Sequence, residues 1–153
     1  MADDLILDST DKKILKYLIR DARIKVVDIA SYVGVTAAAI HQRLAKIKKA
    51  GFIKGFTVRL NERALGYKTC AFVGVFMSKN SQYKEVVEKL LEIEEVVEAH
   101  YTTGQYALFV KLYAKDNDHL MQVLNKKVQQ IKGITQTETF ISLEEPISRS
   151  LPI

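Results

Sequence analysis

The sequence predicts an α+β protein in two parts, and three observations carry that prediction. Apolar residues recur at helical spacing in three stretches of the first sixty residues, punctuated by Gly34, Thr36 and Gly51. Runs of β-branched and aromatic residues then alternate with two amphipathic stretches in the order β-α-β-β-α-β. Charge divides at the same place: residues 1–60 hold 12 Lys/Arg against 6 Asp/Glu, a balance of +6, while residues 61–153 hold 11 against 12, a balance of −1. The expected division is a first domain over 1–60, a linker over 61–66 and a second domain over 67–153.

In the first helix Asp8 is the expected N-cap, and Asp11 is the acidic arm of a capping box. Ile14, Leu15, Leu18 and Ile19 make one buried stripe, with Lys12, Lys13, Lys16 and Arg20 on the wet side. A second, shorter helix turns Val27, Ala30 and Val33 inward with Ile29 beside them, and Gly34 ends it. Thr36 caps a third helix that runs to about Ala50, so Gly34 to Thr36 is the tight turn of a helix-turn-helix. Ile40, Leu44 and Ile47 pack inward. The opposite face presents Ala38, Gln42, Ala45 and Lys49, flanked by His41 and Lys46. Gly51 closes this helix, and Phe52, Ile53, Phe56, Val58 and Leu60 read as a strand pair around Lys54-Gly55, a wing.

No acidic residue lies between Asp28 and Glu62. A basic module on a near-neutral remainder points to a polyanion bound at one end of the molecule. Small side chains at Ala37 to Ala39 let a backbone approach a groove, and an alanine methyl packs on a thymine methyl. Gln42 can pair bidentately with an adenine edge, while Arg43, Lys46 and Lys49 can neutralise phosphates. The candidate DNA-binding set is therefore Thr36, Ala37, Ala38, His41, Gln42, Arg43, Ala45, Lys46, Lys49 and Lys54, with Arg59 a further candidate for backbone contact. The bland alternative makes the alanines helix formers and the lysines solubilisers. It loses weight beside the short preceding helix and the acid-free span.

In the second part, Tyr67 to Ser78 reads as a strand buried on both faces. Tyr83 to Ile93 is a helix with Val86, Val87, Leu90 and Leu91 inside. Val96–Thr103 and Tyr106–Ala114 form a hairpin about Gly104. Asp116 or Asp118 caps the next helix, whose inner face is Leu120, Val123, Leu124, Val128 and Ile131, and Gly133 stops it. Ile134 to Glu144 alternates Thr137, Thr139 and Ile141 against Glu138, Phe140 and Ser142. This order is ferredoxin-like, a sheet with two helices on one face. The bare face pairs with a second copy or a partner.

Catalytic chemistry is not visible. The sequence has no phosphate loop, and His41, His100 and His119 are scattered without metal-ligand spacing. Cys70 stands alone, excluding an internal disulfide framework, and reads as a small buried strand residue. Glu92, Glu94 and Glu95 end a surface helix and are expected in solvent. Thr102, Thr103, Gln105, Tyr106 and Thr137 form a polar set without a nucleophile–base pair, which suits ligand recognition better than turnover. The acidic N-terminus and the lack of a long apolar run point to the cytoplasm.

Leu7-Asp8-x-x-Asp11-x-x-Ile14-Leu15, Arg23, Ile29-Ala30, Val33-Gly34-Val35-Thr36, Arg43 and Gly51-Phe52-Ile53-x-Gly55 together resemble the winged helix-turn-helix of the Lrp/AsnC feast/famine regulators. Leu65-Gly66-Tyr67, Thr103-Gly104-x-Tyr106, Gly133-Ile134 and Thr137-x-Thr139 extend the resemblance over nearly the whole chain. Residues 99–111, Thr137–Thr139 and Pro146-Ile147 look most like the asparagine-responsive branch. The resemblance implies a transcriptional regulator of double-stranded promoter DNA, with a ligand-sensing ferredoxin-like domain that dimerises through its sheets and often builds an octamer. It implies an amino-acid effector bound between dimers near Gly104, with asparagine first and leucine, glutamine or lysine as alternatives. The implied effector residues are Tyr101, Thr102, Thr103, Gly104, Gln105, Tyr106, Gln136, Thr137, Glu138 and Thr139. Neither a metal nor a further cofactor is implied, and a ferredoxin-like enzyme is the distant alternative. Two positions depart from the pattern: Lys25 stands where many relatives start the second helix with Ser or Thr, and Ala107 stands where leucine-type members carry Asp.

Overall fold

A computed structural model describes residues 6–78 and 82–153. The chain forms two compact units, Met1–Arg59 with Ser148–Ile153, and Leu60–Ile147. The final six residues, expected with the sheet, group with the helices; Arg59 Nη2 donates to Ser148 Oγ at 3.0 Å.

The first unit contains α1 (Ser9–Arg20), α2 (Val26–Val33) and α3 (Ala37–Lys49). The capping box of α1 forms as expected: Asp11 N–H donates to Asp8 Oδ1 at 2.8 Å, and Asp8 N–H to Asp11 Oδ2 at 3.2 Å. Lys25 gives α2 no side-chain cap, in keeping with its departure from Ser or Thr. Gly34 sits at φ 78°, a left-handed position that a side chain would strain. Ile14, Ile29, Ala30 and Ile40 make the core, with Tyr17, Leu18, Val26, Val33 and Leu44 packed against it. Two expected core residues are outside: Ile19 is 45% exposed and Val27 59%. Helical phasing explains both, because the spacing i, i+3, i+4, i+7 runs Asp11, Ile14, Leu15, Leu18 and Val26, Ile29, Ala30, Val33.

The expected wing strands are absent. Residues 53–60 carry no strand, and Phe52, Phe56, Val58 and Leu60 are all exposed. A ribbon is defined by its cross-strand hydrogen bonds. Here the last backbone bond before the linker is Phe52 N–H to the Ile47 carbonyl, which closes α3. The linker itself is a hydrogen-bonded turn: Ala64 N–H donates to Asn61 Oδ1 at 3.0 Å, and Tyr67 N–H to the Glu62 carbonyl at 2.9 Å.

The second unit follows the expected order: β1 (Thr69–Met77), α4 (Tyr83–Leu91), β2 (Val96–Tyr101), β3 (Leu108–Ala114), α5 (Asn117–Val123), a π-helical turn (Leu124–Val128) and β4 (Ile134–Ser142). The antiparallel sheet has strand order β2-β3-β1-β4. Val73 pairs with Val110 and Thr139, and Ala71 with Leu112 and Ile141, so these residues share the face beneath the helices. There Ala71, Val73, Val110 and Leu112 meet Val86, Leu90, Ile93, Leu120, Val123, Val128 and Ile131 in one core. Asp116, rather than Asp118, caps α5. Leu91, expected inside, is 79% exposed; α4 ends there and Ile93 takes the inner place at 6%.

β1 is not buried on both faces as expected. Cys70, Phe72 and Phe76 are half-buried on the side away from the helices. That face is aromatic: Phe72 stacks on Phe109 at 5.8 Å, and Tyr106 meets Phe76 at 5.2 Å and Phe140 at 6.4 Å between ring centroids. The Tyr106 ring crosses β1 at Gly74, where an added Cβ would lie 2.5 Å from it. Gly74→Ala should therefore cost about 1–3 kcal/mol in urea unfolding, the range for overpacking. The cost should shrink in a Tyr106→Ala background; equal costs in both backgrounds would place the strain elsewhere.

Candidate functional site

α3 begins at Thr36, whose Oγ1 accepts the Ala39 N–H at 3.2 Å. Ile40 and Ile47 are buried and Leu44 half-buried, so the inward face is the predicted one. Ala38, His41, Gln42, Ala45, Lys46 and Lys49 are all exposed, and Lys54 is exposed beyond the helix. Ala37 differs: it is half-buried against the core, one turn-edge away from the outward face. Lys48, missed in the sequence set, is exposed and lies 5.3 Å above the Phe56 ring. Arg43 differs most. Its Nη1 is 2.7 Å from both Asp8 Oδ2 and Asp11 Oδ1, so the expected phosphate ligand is engaged by the chain's own carboxylates. The Asp11 N–H and then the guanidinium hold the Asp8 carboxyl below its usual range, and the two carboxylates push Arg43 up.

The β2–β3 hairpin closes with Thr102 N–H donating to the Ala107 carbonyl at 3.1 Å, and Ala107 N–H ties it to the Val75 carbonyl of β1 at 2.9 Å. The Thr102 hydroxyl donates to the Tyr106 carbonyl inside the turn. A hollow of about 300 Å³ lies here, lined by Tyr101, Thr102, Thr103, Gly104 and Gln105 together with Phe76, Met77 and Ala107. Phe76 and Met77 were missed, because only the strand register brings β1 under the hairpin; Ala107 is the position where leucine-type members carry Asp. Gly104 has no left-handed φ, and a Cβ on it would meet nothing within 4 Å. The chain's own fold does not require glycine there.

The remaining predicted effector residues do not converge on this hollow within one chain. Tyr106 turns its ring over Gly74 and donates its hydroxyl to Glu138 at 2.7 Å, which raises its pKa. Gln136 and Glu138 share the aromatic face, opposite Phe76 and Gly74. Thr137 and Thr139 point to the helix side, opposite Val75 and Val73, and the Thr137 hydroxyl accepts from Gln129 at 2.9 Å. Strand residues alternate between faces, so four consecutive positions cannot line one cleft.

Glu95, expected in solvent, is 9% exposed and central to a charged cluster. Lys127, carried by the π-helical turn, places Nζ 2.7 and 2.9 Å from its two oxygens. His119 Nε2 is 3.2 Å from Glu95, while His119 Nδ1 accepts the Lys115 N–H at 3.1 Å. The neutral ring therefore carries its proton on Nε2 and donates it to Glu95. Burial pushes the Glu95 carboxyl up, but Lys127, a backbone N–H and His119 outweigh it, and the group sits below its usual value. Among the described residues no group of His, Cys, Asp and Glu could hold a metal ion. No described helix is long and apolar enough to cross a membrane.

A profile of the Lrp/AsnC ligand binding domain matches residues 70–152, and one of the AsnC-type helix-turn-helix domain matches residues 7–48. The chain belongs to the Lrp/AsnC family. It is similar to Regulatory protein AsnC of Haemophilus influenzae, 42% identical over 95% of this chain and 97% of that one. The solved structure of Escherichia coli AsnC has a TM-score of 0.91 at 37% identity, covering 96% of this chain and 99% of that one. A Neisseria meningitidis transcriptional regulator in complex with L-methionine has the same fold, with a TM-score of 0.91 at 20% identity over 96% of this chain and 97% of that one. This Lrp/AsnC chain is a DNA-binding transcriptional regulator and not an enzyme. The ligand-binding profile spans the sheet, the hollow and the Glu95 cluster.

The depressed Glu95 carboxyl predicts how the second unit responds to pH. A carboxyl whose folded pKa is lowered stabilises above its unfolded value and loses that contribution as pH falls through the folded one. The stability gap between wild type and Glu95→Gln in urea should begin to close as pH falls past about 4.3, the ordinary glutamate value, and be lost below the lowered folded value. A gap that persists unchanged into strong acid would mean the carboxylate charge contributes nothing.

Proposed function

We propose that α3 reads operator DNA, with Ala38, Gln42 and Ala45 toward base edges, His41 beside them, and Lys46, Lys49 and Lys54 on phosphates. Thr36 fixes the N-terminal end of the reader. The observation that carries this reading is the outward face of α3, which is free of carboxylates and built from small, amide and basic side chains. We propose further that an amino acid, asparagine first, binds in the hollow at the Gly104 turn. Similarity to AsnC regulators supports that choice, and the L-methionine complex of a structural neighbour supports the ligand class. Glycine at 104 is left free by the fold, which leaves backbone open to a ligand. Ala107 offers no carboxylate there, so the effector's ammonium would rest on hydroxyl and carbonyl oxygens.

The aromatic sheet face supports a homodimer closed face to face, and assembly of dimers toward an octamer would bring hairpins of neighbouring dimers together. In this reading residues 1–60 read DNA in the cytoplasm, 61–66 link, and 67–153 sense ligand and assemble. Two recognition helices in a dimer then address half-sites one helical turn, or its multiples, apart. A ligand that favours one arrangement of dimers shifts how many half-sites engage together, provided its affinity differs between arrangements.

Quantitative gel shifts on the DNA upstream of the chain's own coding sequence test the first half. Gln42→Ala should lose about 1–3 kcal/mol of discrimination between operator and random duplex, the worth of a bidentate base contact. Lys49→Ala should weaken both duplexes alike and flatten the salt dependence by about 0.9 in log–log slope. Affinity indifferent to salt rules out the phosphate contacts. For the second half, asparagine should raise the melting temperature in a thermal-shift screen of amino acids, because a ligand of the folded state stabilises it. A shift from another amino acid alone would reassign the effector.

A further inference from the structure

Among the described residues, Arg43 is the one basic group of α3 paired with carboxylates of its own chain. The pairing engages all four carboxylate oxygens. Asp8 Oδ1 takes the Asp11 N–H and Oδ2 the guanidinium; Asp11 Oδ2 takes the Asp8 N–H and Oδ1 the guanidinium. Asp11 is only 6% exposed. A single nitrogen of Arg43 thus bridges the first turn of α1 to the middle of the recognition helix.

The rest of α3 is held by apolar contacts through Ile40, Leu44 and Ile47. The hydrophobic driving force behind such contacts is non-directional. Charge-assisted hydrogen bonds are short and directional. Base readout depends on the orientation of a few side chains, whereas phosphate attraction tolerates small displacements. Two carboxylates beside one guanidinium also leave the cluster net negative, a poor dock for phosphate.

We propose that the Asp8–Asp11–Arg43 knot sets the pose of α3, so that Arg43 is a positioning residue for DNA specificity and not a phosphate ligand. The inference rests on α3 being the reading element. Its chemistry separates it from simple capping, because asparagine is as good an N-cap as aspartate. Asp8→Asn keeps the cap of α1 and removes half of the ion-pair cluster.

The test titrates full-length protein against a duplex selected by the wild type from a random library and against a shuffled duplex of the same composition. Asp8→Asn should lower the affinity ratio between them at least about fivefold, the lower end for a lost base-pair preference. Shuffled-duplex affinity should not fall, since a negative charge has been removed. Arg43→Lys keeps the charge but cannot bridge both acids in the same geometry. It should show the same loss of ratio with the wild-type salt slope. Each titration is run below the variant's own melting transition, so a stability loss alone moves neither ratio nor slope. An unchanged ratio in both variants overturns the proposal. So does tighter binding of both duplexes by Asp8→Asn with a steeper salt slope, which marks a freed phosphate ligand. Gln42→Ala in the same series separates the two readings. If it lowers the ratio while the knot variants do not, the knot alone fails; if none lowers it, α3 is not the reader.

Discussion

Alternation along β1 decides most of the second unit. Ala71, Val73 and Val75 face the helices and are fully buried, and each buried valine contributes about 1.5–3 kcal/mol relative to an exposed one. β1 is the inner strand that pairs with both β3 and β4, so its register propagates to both neighbours. A slip of one residue would turn Phe72 and Phe76 into the core and send the valines outward. The same constraint sends Cys70, Phe72, Gly74 and Phe76 to the far face, beside Phe109 and Phe140. Neither α4 nor α5 lies on that face; its aromatics meet one another, and Lys111 Nζ lies 5.9 Å over the Phe72 ring. Gly74 lets the Tyr106 ring lie flat across the strand, which carries the end of the hairpin to Glu138 on β4. Hairpin, central strand and edge strand are thereby one connected surface.

The Glu95 cluster belongs to the opposite side of the same sheet. The bond from Gln129 N–H to the Leu124 carbonyl, at 2.8 Å, marks a widened turn after α5. Such turns are rare, and they re-aim side chains locally. Here the turn carries Lys127, whose Nζ reaches both Glu95 oxygens. Glu95 precedes β2, and its carbonyl accepts the Tyr113 N–H of β3 at 2.9 Å. A charge on the helical layer therefore helps fix the edge of the hairpin that carries the hollow.

Local chemistry was legible in the sequence where it was periodic or capped. Asp8 with Asp11, Gly34, Thr36 and the inward Ile40 and Ile47 all stand where spacing placed them, as does the β-α-β-β-α-β order. What sequence could not supply was long-range. The clamp on Arg43 joins residues 32 and 35 positions apart, and a lysine-rich helix gives no hint that one cation is committed inward. Glu95 looked like its neighbours Glu92 and Glu94 because its partners lie 24 and 32 positions on. Residues 53–60 show the converse failure: the alternation of a strand is present, but strand formation needs a hydrogen-bonding partner. Of the expected effector set, Tyr101 to Gln105 line one hollow, whereas the four consecutive β4 residues divide between two faces of the sheet.

Electrostatics separates the two jobs of the first unit. Of the 12 Lys/Arg in residues 1–60, those on the outer side of α3 lie in a span without a single acid between Asp28 and Glu62. Unpaired surface lysines lose little by meeting phosphate, since each already sits in water and gains from counterion release. Arg43 stands differently: its Nη1 already bridges Asp8 and Asp11, and moving it to a phosphate would take the guanidinium from an Asp11 carboxylate that is only 6% exposed. In this structure the guanidinium is committed to its own acids. Under the proposed reading, attraction to DNA and placement of the reading helix rest on different cations.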